Sequence, residues 1–404
     1  MRTLFRNPVY ARLFAAQVVA LTGSGLLTVA LGLLAFDLAG GQAGAVLGLV
    51  YTIKMLAYVG LSPLAQAWAV RWPRRTVLVG ADLVRAAVAL CLPFVTEVWQ
   101  VYGLVFALQC ASATFTPAYQ ATLPDVLPNE GDYTRALSLS RLAYDLENLS
   151  SPALAGLLLG VMSYSGLFVG TTLGFLASAA LVLSVTLPAI HGTYRPFSDR
   201  VTRGVRIYLA TPRLRGLLAL NLGAAAAGAF VLVNTVVLVR AGFGRGEAAL
   251  ALAMAAYGAG SMAAALALPP VLERLGDRAV MMAAGTAQAL VALALALWLM
   301  VQGLPGWGAF LGLWVVIGAL YSAVLTPSGR LLRRSAGAED RPALFAAQFA
   351  LSHACWLLTY PLAGWAGATL GMGAALLILA ILALAGLALA CRVWPADMDK
   401  GTPL

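Results

Sequence analysis

The chain has 404 residues, of which 61% are hydrophobic and only 10% are charged, with a formal net charge of +10 and a mean hydropathy of +0.87. Soluble domains carry about 25% charged residues, so this composition excludes an ordinary soluble enzyme or binding module. The positive charge alone would suit a nucleic-acid partner, but its distribution argues against that class, as shown below.

Apolar runs long enough to cross a bilayer recur along the whole sequence. The hydrocarbon core is about 30 Å thick and requires roughly 20 helical residues, and membrane helices tolerate the Gly and Pro residues found within these runs. We therefore predict an all-α polytopic membrane protein with twelve transmembrane helices. The predicted spans are 11–37, 44–70, 76–96, 99–121, 134–158, 164–189, 216–239, 247–272, 279–302, 305–326, 342–366 and 369–391.

Arginine is concentrated on one side of this predicted topology. If the N-terminus is cytoplasmic, the outer segments contain only Arg240 and Arg245. Such a bias sets the orientation of the spans, so we predict an integral protein of the bacterial cytoplasmic membrane with both termini in the cytoplasm, contacting lipids and not nucleic acid. The inner segments hold Arg2, Arg6, Arg71, Arg74, Arg75, Arg135, a group between Arg195 and Arg215, Arg274, Arg278, Arg330, Arg333, Arg334 and Arg341.

The second half of the chain repeats motifs of the first. FTPAYQATLPDVLP (115–128) resembles LTPSGRLLRRS (325–335), and RWPRRTVL (71–78) resembles RLGDRAVM (274–281). Internal repeats of this kind are common in secondary transporters.

We predict four parts from this repeat. Two pseudo-symmetric six-helix halves are joined by a cytoplasmic linker whose amphipathic helix lies on the inner membrane surface, and a cytoplasmic tail follows. The predicted parts are 1–189, the linker 190–215, 216–391 and the tail 392–404.

Six plus six spans, with a short basic loop after the second and eighth, resemble the major facilitator superfamily of secondary transporters. The loop signature of that family is Gly-x-Leu-Ala-Asp-Arg-x-Gly-Arg-Arg. Arg71, Arg74 and Arg75 match it, whereas Val70 stands where the family has Asp. The motifs FTPAYQATLPDVLP and SPALAG and the linker RGVRIYLATPRLRGLLAL are similar to the branch with enterobactin-type siderophore exporters and nickel-resistance permeases. The resemblance implies the major facilitator fold and transport by alternating access.

Three charges interrupt the fifth span in the stretch SRLAYDLENLSSP. An ionisable group at mid-membrane costs about 2.5–3.5 kcal/mol on insertion scales and often marks a transport path. Arg141 and Asp145 are spaced i,i+4 and are predicted to pair, while Glu147 points about 200° away from Asp145. Lys54 lies at a similar depth in the second span.

Two interpretations of this set remain open. The four residues form either a fixed ion-pair network or a proton-coupling site in which a carboxylate alternates between protonated and paired states. Glu147 is the candidate for the titrating group, because no basic residue lies one turn away on its own helix. The proton-coupling candidates are Glu147, Asp145, Lys54 and Arg141.

A second charged set lies near the inner ends of the spans. Asp82 and Arg85 are spaced i,i+3 on the third span, close to the basic loop. This set is either a cytoplasmic gate whose ion pairs break during transport or a group of topology determinants. The gate candidates are Arg71, Arg74, Arg75, Asp82, Arg85, Arg274 and Arg278.

The second half carries almost no charge at mid-membrane and is instead aromatic. A charged half opposite an apolar, aromatic half suits an amphipathic organic substrate together with a proton. The substrate-cavity candidates are Gln17, Asn221, Asn234, Tyr257, Gln348, His353 and Trp356, with Tyr321 and Tyr360 as further aromatic residues.

These features predict a secondary transporter, not an enzyme, that exports small amphipathic molecules of the drug or siderophore class. No GxxxxGK[ST] motif is present, which argues against pumping driven directly by a nucleotide. The expected energy source is the proton gradient, without a cofactor or bound metal. We expect a monomer. Three alternatives remain: a nickel-type metal exporter with Asp145, Glu147 and His353 as ligands, a lysophospholipid carrier, and a non-transporting assembly or sensor protein.

Overall fold

The computed structural model describes residues 4–40, 43–188 and 196–394, and these residues form helices and no strand. The predicted tail from residue 395 onward and the linker residues 190–195 lie outside the described residues.

Fifteen α-helices follow one another in the described part of the chain. In chain order they are α1 Pro8–Ala39, α2 Ala43–Leu56, α3 Ser62–Ala69, α4 Arg74–Cys91, α5 Val98–Val126, α6 Glu130–Leu159, α7 Tyr164–Leu183, α8 Phe197–Ala210, α9 Pro212–Val237, α10 Glu247–Leu275, α11 Asp277–Val301, α12 Trp307–Leu325, α13 Ser328–Ser335, α14 Arg341–Leu370 and α15 Met372–Val393.

Every predicted span corresponds to one of these helices or to a helix pair, and α8 is the predicted linker helix. Two details differ from the prediction. The second span is divided between α2 and α3 by a π-helical turn at Ala57–Leu61, and the short helix α13 follows the tenth span. A π turn widens the backbone locally without ending the helix, so the hydropathy pattern does not reveal it.

Eleven described spans are long and apolar enough to cross a membrane. The remaining predicted span, α6, has 30 residues, but its polar residues, Arg141, Asp145 and Glu147 among them, lower its mean hydropathy. Large apolar side chains on the helices, such as Phe36 of α1 and Leu173 of α7, are about three-fifths exposed (63% and 61%). Exposure of that extent is expected where lipid, not water, surrounds the helices.

The chain divides into two compact units. The first comprises Met1–Ala136, Leu146–Arg206 and Ala336–Ala350, and the second comprises Leu137–Asp145, Ile207–Ser335 and Leu351–Leu404. Each unit therefore contains one short segment from the opposite half of the sequence. The boundary between Asp145 and Leu146 falls inside α6.

Within each unit the helices pack in a similar way. In the first unit α1 packs against α7, and α4 packs against α5 and α7; in the second, α10 packs against α12, while α9 and α11 pack against α15. The apolar core of the first unit includes Leu27 of α1, Val101 of α5 and Phe168 of α7, together with Leu92 in the turn that follows α4.

Helices α10 and α12 approach each other closely at two glycines. A Cβ atom on Gly318 would lie 1.9 Å from the carbonyl oxygen of Tyr257, and one on Gly260 would lie 1.9 Å from that of Val315. Membrane helices associate through such small residues, because lipid provides no hydrophobic driving force between helices. Any larger residue there must separate the two helices.

We expect Gly318→Ala to destabilise the protein in detergent by about 1–3 kcal/mol, the usual range for overpacking a close contact. Gly312→Ala on the same helix is the matched control, because a Cβ there meets nothing within 4 Å. Thermal unfolding of both variants checks this expectation. Equal melting temperatures for the two variants would show that the α10–α12 contact tolerates an added methyl group.

Candidate functional site

The predicted ion pair on α6 is confirmed. Arg141 donates from Nη2 to Oδ1 of Asp145 at 2.7 Å and from Nε to Oδ2 at 3.2 Å. Ser261 of α10 donates its hydroxyl to Oδ2 of Asp145 at 2.6 Å. Asp145 is only 4% exposed, so these three hydrogen bonds compensate for burying its charge.

An aromatic cluster, defined here as Tyr257, Tyr321, Trp356 and Tyr360, adjoins this ion pair in the second unit. Ring centroids are 5.9 Å apart for Tyr257–Tyr321, 6.2 Å for Tyr321–Trp356 and 4.9 Å for Trp356–Tyr360. The guanidinium carbon of Arg141 lies 4.8 Å from the centroid of the Tyr321 ring. The structure thus joins two predicted cavity residues, Tyr257 and Trp356, to a charged group.

Glu147 lies two residues beyond Asp145 but belongs to the first unit. Helix α1 is close at this point: a Cβ atom on Gly25 would lie 3.5 Å from Cγ of Glu147. Lys54 of α2 interacts electrostatically with Glu147, and its ammonium lies 5.7 Å from the ring centroid of Tyr58. Asp145 therefore has its cation on the same helix, whereas the cation that acts on Glu147 belongs to another helix.

The remaining predicted cavity residues are distributed over both units. Gln17 accepts a hydrogen bond from Tyr119 at 3.1 Å in the first unit, and Asn234 donates to the carbonyl oxygen of Ala363 at 3.2 Å in the second. These bonds join α1 to α5 and α9 to α14, so both residues contribute to helix packing. Asn221 is buried on α9, and Gln348 and His353 are partly buried on α14.

Asp82 and Arg85 form a buried ion pair in the core of the first unit. Ser178 of α7 donates to Oδ2 of Asp82 at 2.8 Å. The guanidinium carbon of Arg85 lies 4.1 Å from the ring centroid of Phe115 and 4.5 Å from that of Phe175. The sequence grouped this pair with the loop arginines, but the structure places it among α4, α5 and α7.

The loop arginines differ from one another in their contacts. Arg74 pairs with Asp125 at 2.7 Å, and Arg341 at the start of α14 pairs with the same carboxylate. Arg71 and Arg75 are exposed. Of the basic residues in the second loop, Arg274 is exposed, whereas Arg278 donates to the carbonyl oxygen of Trp394 at 2.9 Å.

The equivalent loop of the second unit carries an ion pair of opposite polarity. Asp277 occupies the position in RLGDRAVM that Arg74 occupies in RWPRRTVL. It is fully buried and pairs with Arg330 at 2.7 Å and with Arg334 at 2.8 Å, both on α13. The sequence alone does not identify Asp125 and Asp277 as partners of these arginines, although the aligned loops differ in charge at the position of Asp277.

The linker helix α8 is joined to the segment before α14 within the first unit. Arg203 pairs with Asp340, and this hydrogen bond raises the pKa of Arg203. A Cβ atom on Gly204 would lie 2.0 Å from the carbonyl oxygen of Ala343. The helix predicted from its amphipathic pattern therefore also makes specific contacts with protein.

No group of three or more His, Cys, Asp and Glu side chains within the described ranges is arranged to hold a metal ion. Asp145, Glu147 and His353, the ligands of the metal alternative, do not form such a group.

The described residues thus form a polytopic helical membrane protein with ion pairs buried inside its helices. The model of the Major Facilitator Superfamily matches residues 13–237, more than half of the chain, and the chain belongs to that family.

Curated relatives agree with this assignment at low identity. The chain is 28% identical over 183 residues to an uncharacterized MFS-type transporter, YfiS, of Bacillus subtilis (strain 168), covering 45% of this chain and 43% of YfiS. It is 26% identical over 216 residues to macrolide efflux protein A of Streptococcus pyogenes, covering 52% of this chain and 53% of that protein. The matches thus span about half the length of these relatives.

Among solved structures, the human organic anion transporter MFSD10 has a TM-score of 0.77 at 13% identity, covering 95% of this chain and 99% of that chain. At that identity the similarity shows the fold alone.

We expect Arg74→Ala to destabilise the protein by about 1 kcal/mol, because Asp125 loses one of the two cations that pair with it, and to slow transport without changing substrate affinity. Arg75→Ala is the control, because Arg75 is exposed in the same loop. Thermal unfolding, equilibrium binding and transport rate should be measured separately. If both substitutions have the same effect on unfolding and transport, the Arg74–Asp125 ion pair contributes no more than the exposed Arg75 does.

Proposed function

We propose that the protein is a proton-coupled exporter of small amphipathic organic molecules of the drug class, working by alternating access. The observation that carries this proposal is the aromatic cluster beside a neutralised ion pair in the second unit. Aromatic rings offer a large apolar contact, and the hydroxyl and indole groups at their edges accept or donate hydrogen bonds. A molecule that is part apolar and part polar fits such a surface.

The proposed energy source is a proton that binds to Glu147. This carboxylate is partly buried, and the cation that acts on it, Lys54, lies on a different helix. Ionised carboxylates are stabilised by a nearby cation and destabilised by burial, so a change in the distance between α2 and α6 changes the favoured protonation state. Alternating access provides such a change once per cycle. Asp145 has its cation one turn away and is not expected to respond in this way.

Export as the direction is supported by the macrolide efflux proteins among the relatives. We place the protein in the bacterial cytoplasmic membrane with both termini inside, as a monomer that needs no cofactor. The siderophore class remains within the proposal, since siderophores are also amphipathic, although none of the relatives named above is described as a siderophore or nickel transporter. The metal alternative lacks a ligand group among the described residues.

The test is uptake of a radiolabelled macrolide into proteoliposomes whose lumen is acidic. Transporters inserted with their cytoplasmic face outward should exchange protons from the lumen for macrolide from outside. The parent protein should accumulate the macrolide, and collapse of the pH gradient by an ionophore should abolish accumulation. Accumulation that is unaffected by the ionophore would contradict proton coupling, and binding without any accumulation would favour a non-transporting protein.

We expect Glu147→Gln to abolish gradient-driven accumulation while preserving folding and exchange of macrolide down its own gradient, because glutamine keeps the size of the side chain but cannot titrate. Glu273→Gln is the matched control, since Glu273 is exposed at the end of α10. Transport by Glu147→Gln equal to that of the parent, with the same pH dependence, would remove the coupling role from Glu147.

A further inference from the structure

We propose that the aromatic cluster and Asp145 together form the binding site for the charged group of a lipophilic organic cation, and that the guanidinium of Arg141 occupies this site when no ligand is bound. The inference rests on the proposed function and names the class of substrate at that site.

The first argument is the position of Arg141. Its guanidinium carbon lies 4.8 Å from the Tyr321 centroid, and Tyr321 contacts the rings of Tyr257 and Trp356. Ring faces carry negative electrostatic potential and attract organic cations, as in the aromatic cages that bind quaternary ammonium groups. The structure shows that a delocalised cation is accommodated at this position.

The second argument is the charge balance of the site. Asp145 is nearly fully buried and accepts two hydrogen bonds from Arg141 and one from Ser261. A single cation neutralises it, and a second cation in the same apolar surroundings would be unpaired and costly. A cationic ligand therefore binds by replacing Arg141, whose side chain is 18% exposed.

The third argument concerns anions. The guanidinium that contacts the cluster is that of Arg141, and it already binds Asp145 on its own helix. An anionic ligand would have to compete with a carboxylate one turn away and would also face the negative surfaces of the rings. The described residues of this site thus favour a cation.

The position of the Trp356 indole depends on α9. A Cβ atom on Gly228 would lie 2.5 Å from Cη2 of Trp356, so the absence of a side chain at residue 228 allows the indole to hold its present position. Trp356 and Tyr360 are one helical turn apart on α14, with centroids 4.9 Å apart. This pair extends the aromatic surface beyond the ion pair.

The test is equilibrium binding of radiolabelled tetraphenylphosphonium to the purified full-length protein in detergent, without a pH gradient. Tetraphenylborate, of nearly the same size and shape but opposite charge, is the matched probe. We expect saturable binding of the cation and at least about tenfold weaker binding of the anion. Equal binding of the two ions, or tighter binding of the anion, would overturn the proposal.

Four variants show where the cation binds. Tyr321→Leu and Trp356→Leu should each weaken cation binding about tenfold, the loss expected from removing a desolvated cation–π contact. Tyr51→Leu and Trp298→Leu are matched controls, because both side chains are about half exposed (48% and 51%), and they should bind like the parent. Unchanged affinity in both Tyr321→Leu and Trp356→Leu would place the cation elsewhere and refute the site.

Arg141→Gln tests whether the bound cation takes the place of the Arg141 guanidinium or binds beside it. Removing the competing guanidinium while leaving Asp145 should keep or increase the affinity for tetraphenylphosphonium, whereas a loss of affinity would contradict replacement. If this variant does not fold, as judged by size-exclusion chromatography, the Tyr321 and Trp356 variants decide the proposal. Because no gradient is used, cation binding without gradient-driven macrolide transport would contradict the proposed coupling and leave the site intact.

Discussion

A charge inside an apolar helix needs a partner, and much of the organisation of this protein follows from that constraint. Lipid offers no water to solvate an ionised group, so a charged side chain within a span is retained only where another group compensates for it. Asp145 is compensated by Arg141 and Ser261. In the first unit, Arg85 and Ser178 compensate for the charge of Asp82 in the same way. The two serine contacts also fix one helix against another, because each hydroxyl group comes from a neighbouring helix.

Helix α6 shows how the constraint connects local sequence to the division of the chain. Its residues 137–145 cluster with the second unit, and those from 146 onward cluster with the first. The ion pair lies just before this boundary and contacts α10 through Ser261 and α12 through Tyr321. Two of the charges that lower the hydropathy of α6, Arg141 and Asp145, are thus the groups that join its first part to the second unit. A purely apolar sequence would lack these contacts.

The sequence predicted the features that depend on local patterns. Span number follows from the length of apolar runs, and the Arg141–Asp145 pair follows from i,i+4 spacing. It did not predict contacts between residues distant in the chain, such as Ser261 with Asp145, or the grouping of Asp82 with buried rings instead of the basic loop. Nor did it reveal that the loop position is basic in one ion pair and acidic in the other. Asp277 stands at the position equivalent to Arg74 and pairs with an arginine. Spacing along one helix is visible in a sequence, whereas the partner across a helix interface depends on packing.

Two carboxylates that lie two residues apart on one helix are therefore suited to different tasks. A 200° rotation about the axis of α6 gives Asp145 and Glu147 different neighbours. Asp145 is bound by a cation on the same helix, and that distance changes little when helices move. The cation near Glu147 is Lys54 on α2, so their separation depends on how α2 and α6 are arranged. A pair within one helix suits a binding site in which a ligand takes the place of the cation, and a pair between two helices suits proton exchange. In the proposed transporter the same helix thus contributes to substrate binding in the second unit and to coupling in the first.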